Sequence, residues 1–503
     1  MVPPMRWSSF SEGLNECTHA GHLPEDAPHA QVLPHPPWDM LPGMIGRLGM
    51  LISRLFRWLI PDPFVIAILL SLVTVLAALL WGTFDPSDEP LDVLLDAWSS
   101  NESGIWKLLA FSMQMCLILV TGHALASTRP VRWGIDRIAS VPRSTTSAAA
   151  MVGFVAMVFG LLNWGLGLIV GALLARDVGR SLQHRGIRAH YPLVAAAGYM
   201  GLLVWHGGFS GSAPLSMTTT TGAAKVLPAD VAKEVGTIPL EQTILSPMNL
   251  VVSLGLLVLV PLLLRWLAPR DEESMQPCSD FHPMDESPHQ PEPVTNLPQL
   301  LNRCWPISWL LAGALVLGLW RFVELNGFGS VGLNQIIMVM FALGLVLHGS
   351  PVAYMHAVTG AARGCAGIMI QFPLYAGIMA IMIASGLMAQ IAEWFVQIGN
   401  ERTMPLLSFL SAAIVNIFVP SGGGQWAIQG PIALQSGYDA GVDPGRMIMA
   451  VAYGDQLTNM LQPFWALPLL AITGVRARDI VGYTALVMIG AGVWMAFWLL
   501  VWG

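Results

Sequence analysis

Runs of about 20 apolar residues, the length that crosses a bilayer as an α-helix, recur from position 64 to the end of this chain. Unbroken runs predict spans over 64–82, 105–126, 247–268, 306–323, 331–348, 366–388 and 480–502. Four other stretches start apolar and are then interrupted. The pieces 144–162 and 164–175 are parted by Asn163, Trp164, Gly165 and Gly167, and a span from Pro192 runs into a polar, glycine-rich segment from Trp205 to Pro214. A helix over Met404–Phe418 stops at Pro420, and apolar residues resume only after Ser421, Gly422, Gly423 and Gly424. The last, from Met447, carries Gly454, Asp455, Gln456, Thr458, Asn459 and Gln462 before Pro463 and resumes to Thr473. Lipid offers unpaired backbone groups no hydrogen-bond partner, so such breaks survive only inside protein or along a water-filled cavity.

The same order appears twice. In each half a span with Gln114 or Gln371 is followed by an arm (130–142 or 390–402), a helical pair broken at Asn163 or Asn416, and a span broken after Tyr199 or Tyr453. Asn to Tyr is 36 residues in one half and 37 in the other. Such internal symmetry marks transporters built from repeats, with interrupted helices meeting around the substrate. The expected fold is an all-α polytopic membrane protein of two inverted repeats, each with a re-entrant helical hairpin and a broken transmembrane helix. The repeats occupy 43–268 and 306–503. Residues 269–305, rich in Asp, Glu, Pro and His, read as a flexible cytoplasmic linker between them. Residues 1–42 read as a disordered cytoplasmic tail, whose His19, His22, His29 and His35 fit no metal-ligand spacing. Gly43 to Ile60 reads as an amphipathic helix on the inner membrane surface.

Composition narrows the class further. Hydrophobic residues make up 54% of the 503 and charged ones 11%, with a mean hydropathy of +0.61. No nucleic-acid footprint accompanies the net charge of −7. The five cysteines show no CxxC spacing and read as packing residues or inert thiols. Nine crossings plus two hairpins put 18 of the 24 basic residues on the cytoplasmic side, as the positive-inside rule asks. Five fall outside, and Lys107 lies near a membrane face. The N-terminus is then cytoplasmic, the C-terminus periplasmic, and the hairpins open to opposite sides.

The candidate chemistry gathers at the breaks. Helices restarting after a glycine run aim free N–H groups and a positive dipole end at an anion. No Arg or Lys lies in the middle of a predicted span, so an anionic substrate would be held by hairpin-tip N–H groups with Asn163, Ser210, Ser212, Asn416, Ser421, Gln425 and Asn459. Trp164, Trp205, Phe209, Trp426 and Phe464 are the candidates for an apolar wall, each equally readable as ordinary packing. Asp455 is the one acid placed within a span, and a buried ionisable group there is a functional candidate for carrying H⁺ or coordinating Na⁺; a structural acid held by amides is the plainer reading. His206 is a weaker proton-relay candidate and His123 a packing histidine.

These motifs resemble a known family. N-I-F-V-P-S-G-G-G-Q-W-A-I-Q-G-P from Asn416, A-Y-G-D-Q-L-T-N-M-L-Q-P-F-W-A-L-P from Ala452 and N-W-G-L-G-L-I-V-G-A from Asn163 are similar to the bacterial short-chain fatty acid transporters, within the ion transporter superfamily. Asp455 stands where a Glu is expected in some relatives. The resemblance implies uptake of butyrate or acetoacetate-like monocarboxylates across the inner membrane by alternating access, a homodimer in the lipid bilayer, and no cofactor beyond a coupling H⁺ or Na⁺. A dicarboxylate carrier, a passive anion channel and an intramembrane enzyme are the alternatives. The last lacks an H-E-x-x-H, and its G-F-S-G-S at 208–212 lacks the final glycine of a nucleophile elbow. The topology has a direct check: cysteines introduced at 436–445 should react only from outside, and cytoplasmic labelling there would overturn it.

Overall fold

A proline or a capping side chain starts most of the helices, because an N1 proline loses no intrahelical bond and a capping oxygen takes up an orphan N–H. Asp62 before Pro63, Ser246 before Pro247, Ser350 before Pro351 and Asp443 before Pro444 all accept from first-turn amides. The computed structural model describes residues 49–52, 54–56, 58–226, 236–284, 294–327 and 330–502, and these contain no strand. The predicted tail, with its four histidines and Cys17, and residues 43–48, 53 and 57 of the surface helix lie outside the described residues; 49–52, 54–56 and 58–59 are helical.

The first half comprises α1 (Pro63–Trp81), α2 (Pro90–Ser99), α3 (Leu109–Ala126), α4 (Arg129–Ala139), α5 (Thr145–Leu162), α6 (Trp164–His184), α7 (Tyr191–Gly198), α8 (Ser212–Ser216) and α9 (Pro247–Leu267). The second comprises α10 (Trp305–Asn326), α11 (Leu333–His348), α12 (Pro351–Ala362), α13 (Ala366–Ala384), α14 (Leu387–Gln397), α15 (Met404–Phe418), α16 (Gly422–Asp439), α17 (Pro444–Thr458), α18 (Pro463–Thr473) and α19 (Ala477–Val501). Seven helical stretches among the described residues are long and apolar enough to cross a membrane: α1, α3, α5, α9, α10, the joined α12–α13 and α19. Helices α11, α15 and α18 are apolar but shorter. The acidic segment between α1 and α3 holds a helix, α2, that its charges hid.

Glycines bring the interrupted helices together. A methyl on Gly160 would lie 2.3 Å from Gly201 O, one on Gly171 2.1 Å from Gly198 O, and one on Gly167 2.6 Å from the Gly160 Cα. Helices α5, α6 and the chain leaving α7 therefore pack backbone to backbone, which only glycine allows. In the second half Gly454 of α17 does the same against Phe409 O of α15, at 2.2 Å.

Four boundaries differ from the sequence reading. Helix α6 runs to His184 instead of ending near 175, because Arg176, 1% exposed, is bonded to Asp177 (2.8 Å) and to His123 Nδ1 (3.3 Å) and need not leave the bundle. His123 is thus a partner of that arginine as well as a packing residue. The span expected at 366–388 begins at Pro351, since a 3-10 turn at Arg363–Cys365 joins α12 to α13. The two broken spans also differ: the first unwinds at Tyr199 through 3-10 turns at Met200–Leu203 and Trp205–Gly207, whereas Tyr453 sits mid-helix and its span unwinds only at Asn459–Leu461.

The fourth concerns the linker. Residues 285–293 lie outside the described residues, but 269–284 form a strap packed on both halves. Tyr191 N donates to Gln276 O (2.8 Å), Arg180 Nη2 to Met284 O (3.0 Å), and Met284 N to Ile472 O (3.1 Å). Cys278, in the strap itself, is buried against the bundle, and that burial pushes its thiol up to about 11. In a variant retaining only Cys278, maleimide labelling should be slow, because little thiolate forms and access is closed. Arg180→Ala removes a charged hydrogen bond, a loss of about 1.5–3 kcal/mol, and should speed that labelling; an unchanged rate would show the strap does not depend on this contact.

Candidate functional site

The two hairpin tips approach each other and are finished differently. At the first, Asn163 Oδ1 accepts from Gly165 N (2.9 Å) and Leu166 N (3.3 Å), while Ser210 Oγ accepts from Trp164 N (2.9 Å). The first turn of α6 is therefore satisfied from within. At the second, Ser421 takes Gly424 N on its hydroxyl (3.2 Å) and Gln425 N on its carbonyl (2.7 Å). The N–H groups of Gly422 and Gly423 have no partner among the described residues, and both glycines line a cavity of about 230 Å³.

That cavity lies where the halves meet. Ser212, Pro420 and Ser421 join the two glycines on its polar side, and Trp164, Trp205 and Trp465 stand on its apolar side with Leu108, Phe111 and Leu202. Phe111, Trp164 and Trp465 form a ring cluster, with centroids 5.2–6.0 Å apart. A methyl on Gly422 would meet Trp205 Cη2 at 2.7 Å and His206 Cε1 at 3.0 Å. The helix start must carry glycine there to come this close.

Behind that wall lies the buried acid. Asp455 Oδ2 is 2.6 Å from His206 Nδ1, and both residues are 1% exposed. Ala213 N donates to His206 Nε2 (3.0 Å). A backbone amide can only donate, so Nε2 is an acceptor and the proton of the neutral ring sits on Nδ1, facing the carboxylate. Asp455 Oδ1 has no partner among the described residues, and neither have the buried Asn416 Oδ1 and Gln462 Oε1.

Each break is held from the opposite half. Tyr199 Oη lies 2.9 Å from Asn459 O and 3.1 Å from Gln462 O. Gln456 Oε1 accepts from His206 N (3.0 Å) and Gly207 N (3.1 Å). Asn249 donates to Gly207 O (2.9 Å) and accepts from Tyr453 Oη (2.9 Å). Asn416 Nδ2 reaches Asp455 O (2.7 Å), Thr458 Oγ1 (3.0 Å) and Asn459 Oδ1 (3.0 Å), tying α15 to α17.

Of the residues singled out from the sequence, Trp164, Ser212, Pro420, Ser421, Gly422, Gly423 and Trp205 reach the cavity. Asn163, Ser210, Asn416, Asn459 and Gly424 support the tips and breaks from behind. Gly165 and Gly167 are close-packing positions against Ile118 and Gly160. Gln425 is turned away, donating to Ala412 O (2.8 Å) and Gln429 Oε1 (2.7 Å). Trp426 is buried in a separate cluster, Phe209 is 52% exposed, and Phe464 packs on Phe372 behind Trp465. Leu108, Phe111, Leu202 and Trp465 were missed. Trp465 follows Phe464 directly, and a helix restarting after a break has no periodicity to say which of two adjacent aromatics faces inward.

The sequence model of the family described as "Short chain fatty acid transporter" matches residues 44–501. Two bacterial relatives carry the name "Putative short-chain fatty acid transporter". The one from Escherichia coli is 40% identical over 90% of this chain and 98% of its own length. The one from Haemophilus influenzae is 36% identical over 88% and 97%. Among solved structures, the Alcanivorax borkumensis YdaH transporter overlaps 88% of this chain and 97% of its own at 16% identity, with a TM-score of 0.41. The motifs at Asn163, Asn416 and Ala452 thus stand within a match that covers nearly the whole chain, and this multi-pass membrane protein belongs to the short chain fatty acid transporter family, whose members are transporters and not enzymes.

Proposed function

We propose that the protein takes up short-chain monocarboxylates of the butyrate and acetoacetate kind across a bacterial inner membrane by alternating access. The observation that carries this reading is the pair of unpartnered N–H groups at Gly422 and Gly423, at a helix start, opening into a cavity that is otherwise mostly apolar. A carboxylate accepts such hydrogen bonds, and the helix dipole favours its charge. Ser421 and Ser212 would add hydroxyls at the same end, and the alkyl chain would lie on the tryptophans. In this reading the helix pairs α5–α6 and α15–α16 are re-entrant hairpins of two inverted repeats, the N-terminus is cytoplasmic, the C-terminus periplasmic, and the carrier works as a homodimer.

Coupling is assigned to Asp455 with His206. Nε2 of His206 is already engaged by Ala213, so a proton arriving at the pair goes to Asp455 Oδ1, the carboxylate oxygen with no partner. That would neutralise the charge beside the cavity wall as substrate enters. Sodium is the second reading, favoured by the unpartnered Asn416 Oδ1 and Gln462 Oε1, which are hard oxygen ligands of the kind Na⁺ takes at interrupted helices.

Counterflow of labelled butyrate in proteoliposomes, with pH and Na⁺ gradients imposed separately, tests both parts. Saturable counterflow is expected, with accumulation driven by one of the gradients; non-saturating flux indifferent to both would indicate a channel instead. Asp455→Asn should cut gradient-driven accumulation at least about tenfold while some counterflow persists, since the cost of moving a buried charge is removed together with its coupling. Accumulation equal to wild type would end the coupling assignment. Gly422→Ala, whose methyl would strike Trp205, should weaken butyrate binding about tenfold or more, or about 1.4 kcal/mol, as read from half-saturation of counterflow.

A further inference from the structure

We infer that the cavity accepts monocarboxylates with tails bulkier than a four-carbon acid, up to a phenyl ring, and that Phe111 is a specificity-determining residue for tail size. This rests on the carrier reading above and extends its substrate class. The first ground is volume. An apolar cavity of about 150 Å³ holds benzene, a molecule of six non-hydrogen atoms, and butyrate also has six. The cavity here is about 230 Å³. The surplus of about 80 Å³ is room for two or three more heavy atoms at roughly 30 Å³ each, the share of a water in the liquid. Hexanoate, with two more non-hydrogen atoms than butyrate, uses that space; phenylacetate, with four more, fills it and extends to the open side at the exposed Gly423; butyrate leaves it empty or wet.

The second ground is the wall. Away from Ser212 and the Pro420–Gly423 end, the lining is Leu108, Phe111, Leu202 and tryptophans, with no charged side chain. Trp164 and Trp465 meet edge to face at 72°, and Phe111 meets Trp465 at 79°. Rings so disposed present both edges and faces, the surfaces that a further aromatic ring packs against with about 0.5–1.5 kcal/mol beyond simple burial. A three-carbon tail needs only aliphatic neighbours. The same wall disfavours a dicarboxylate, whose second headgroup would lie among hydrocarbon with nothing to pair it. Phe111 is only partly buried, and it touches both Trp164 and Trp465, so its bulk governs how much of the cavity a tail can fill.

The experiment is counterflow in proteoliposomes of the full chain, with labelled butyrate, hexanoate and phenylacetate each measured directly and as competitors. Both larger acids are expected to be exchanged and to compete with butyrate at equal or lower concentration. Phe111→Trp, which adds bulk to the wall, should lower the phenylacetate-to-butyrate ratio of half-saturation efficiencies about tenfold, the lower end of what one methylene is worth in an apolar pocket. Butyrate exchange with neither larger acid exchanged overturns this inference and leaves the carrier reading standing. Larger acids that block butyrate without being exchanged also overturn it, as does a ratio unmoved by Phe111→Trp. Exchange of none of the three overturns both readings.

Discussion

Every interrupted helix in this bundle leaves carbonyls and amides that its own turns no longer pair, and lipid cannot pair them either. At the two broken spans the protein answers with side chains from the other half. Tyr199 reaches across to the carbonyls of Asn459 and Gln462, and Gln456 reaches back to the amides of His206 and Gly207. An unpaired buried amide or carbonyl costs about 1–3 kcal/mol, so neither break is stable without its partner half. The two halves are therefore joined at their least regular points. The cavity lined by Trp164, Ser421 and Gly422 lies at that same junction, where backbone leaves the helical ladder.

The unequal finish of the two tips follows from the same accounting. Ser210 belongs to the first half's unwound segment and closes the first tip by accepting from Trp164 N. At the second tip, Ser421 is the cap itself and satisfies only Gly424 and Gln425. Two similar hairpins thus give one tip that is sealed and one that still has donors to offer. The difference rests on one serine, Ser210, which has no counterpart closing the second tip among the described residues.

Much of this was legible in the sequence, and what was not has specific causes. The breaks at Asn163 and at Pro420–Ser421 stood out because proline, glycine and asparagine interrupt apolar runs only where helices end. The contact between Asp455 and His206 was not legible, since the two are 249 positions apart and their meeting depends on how the halves interlock. The strap at 269–284 was misread as flexible because its polar composition suits a linker, yet much of its holding comes from backbone groups, which composition does not report. Arg176 was read as ending its helix because a charge usually closes an apolar run. With Asp177 and His123 around it, the helix runs on to His184. Choosing Phe464 over Trp465 was an error of rotation: once a helix has been broken, the angle at which it resumes is set by packing and not by the preceding residues.

The position of Asp455 connects these points. It lies in the last full turn before its span unwinds, with its backbone carbonyl bonded to Asn416 of the hairpin and its side chain bonded to His206 of the other half. His206 in turn is stacked on Trp205 at 4.4 Å, and Trp205 meets the hairpin start at Gly422. A carboxylate, an imidazole, an indole and a helix start thus form one chain of direct contacts from the buried charge to the cavity. Any change in the charge state of Asp455 alters the bond that orients His206, and His206 positions the wall that the Gly422 start packs against. A transporter needs its driving ion and its cargo to sense each other, and in the coupling proposed above the two would be separated by two side chains, His206 and Trp205.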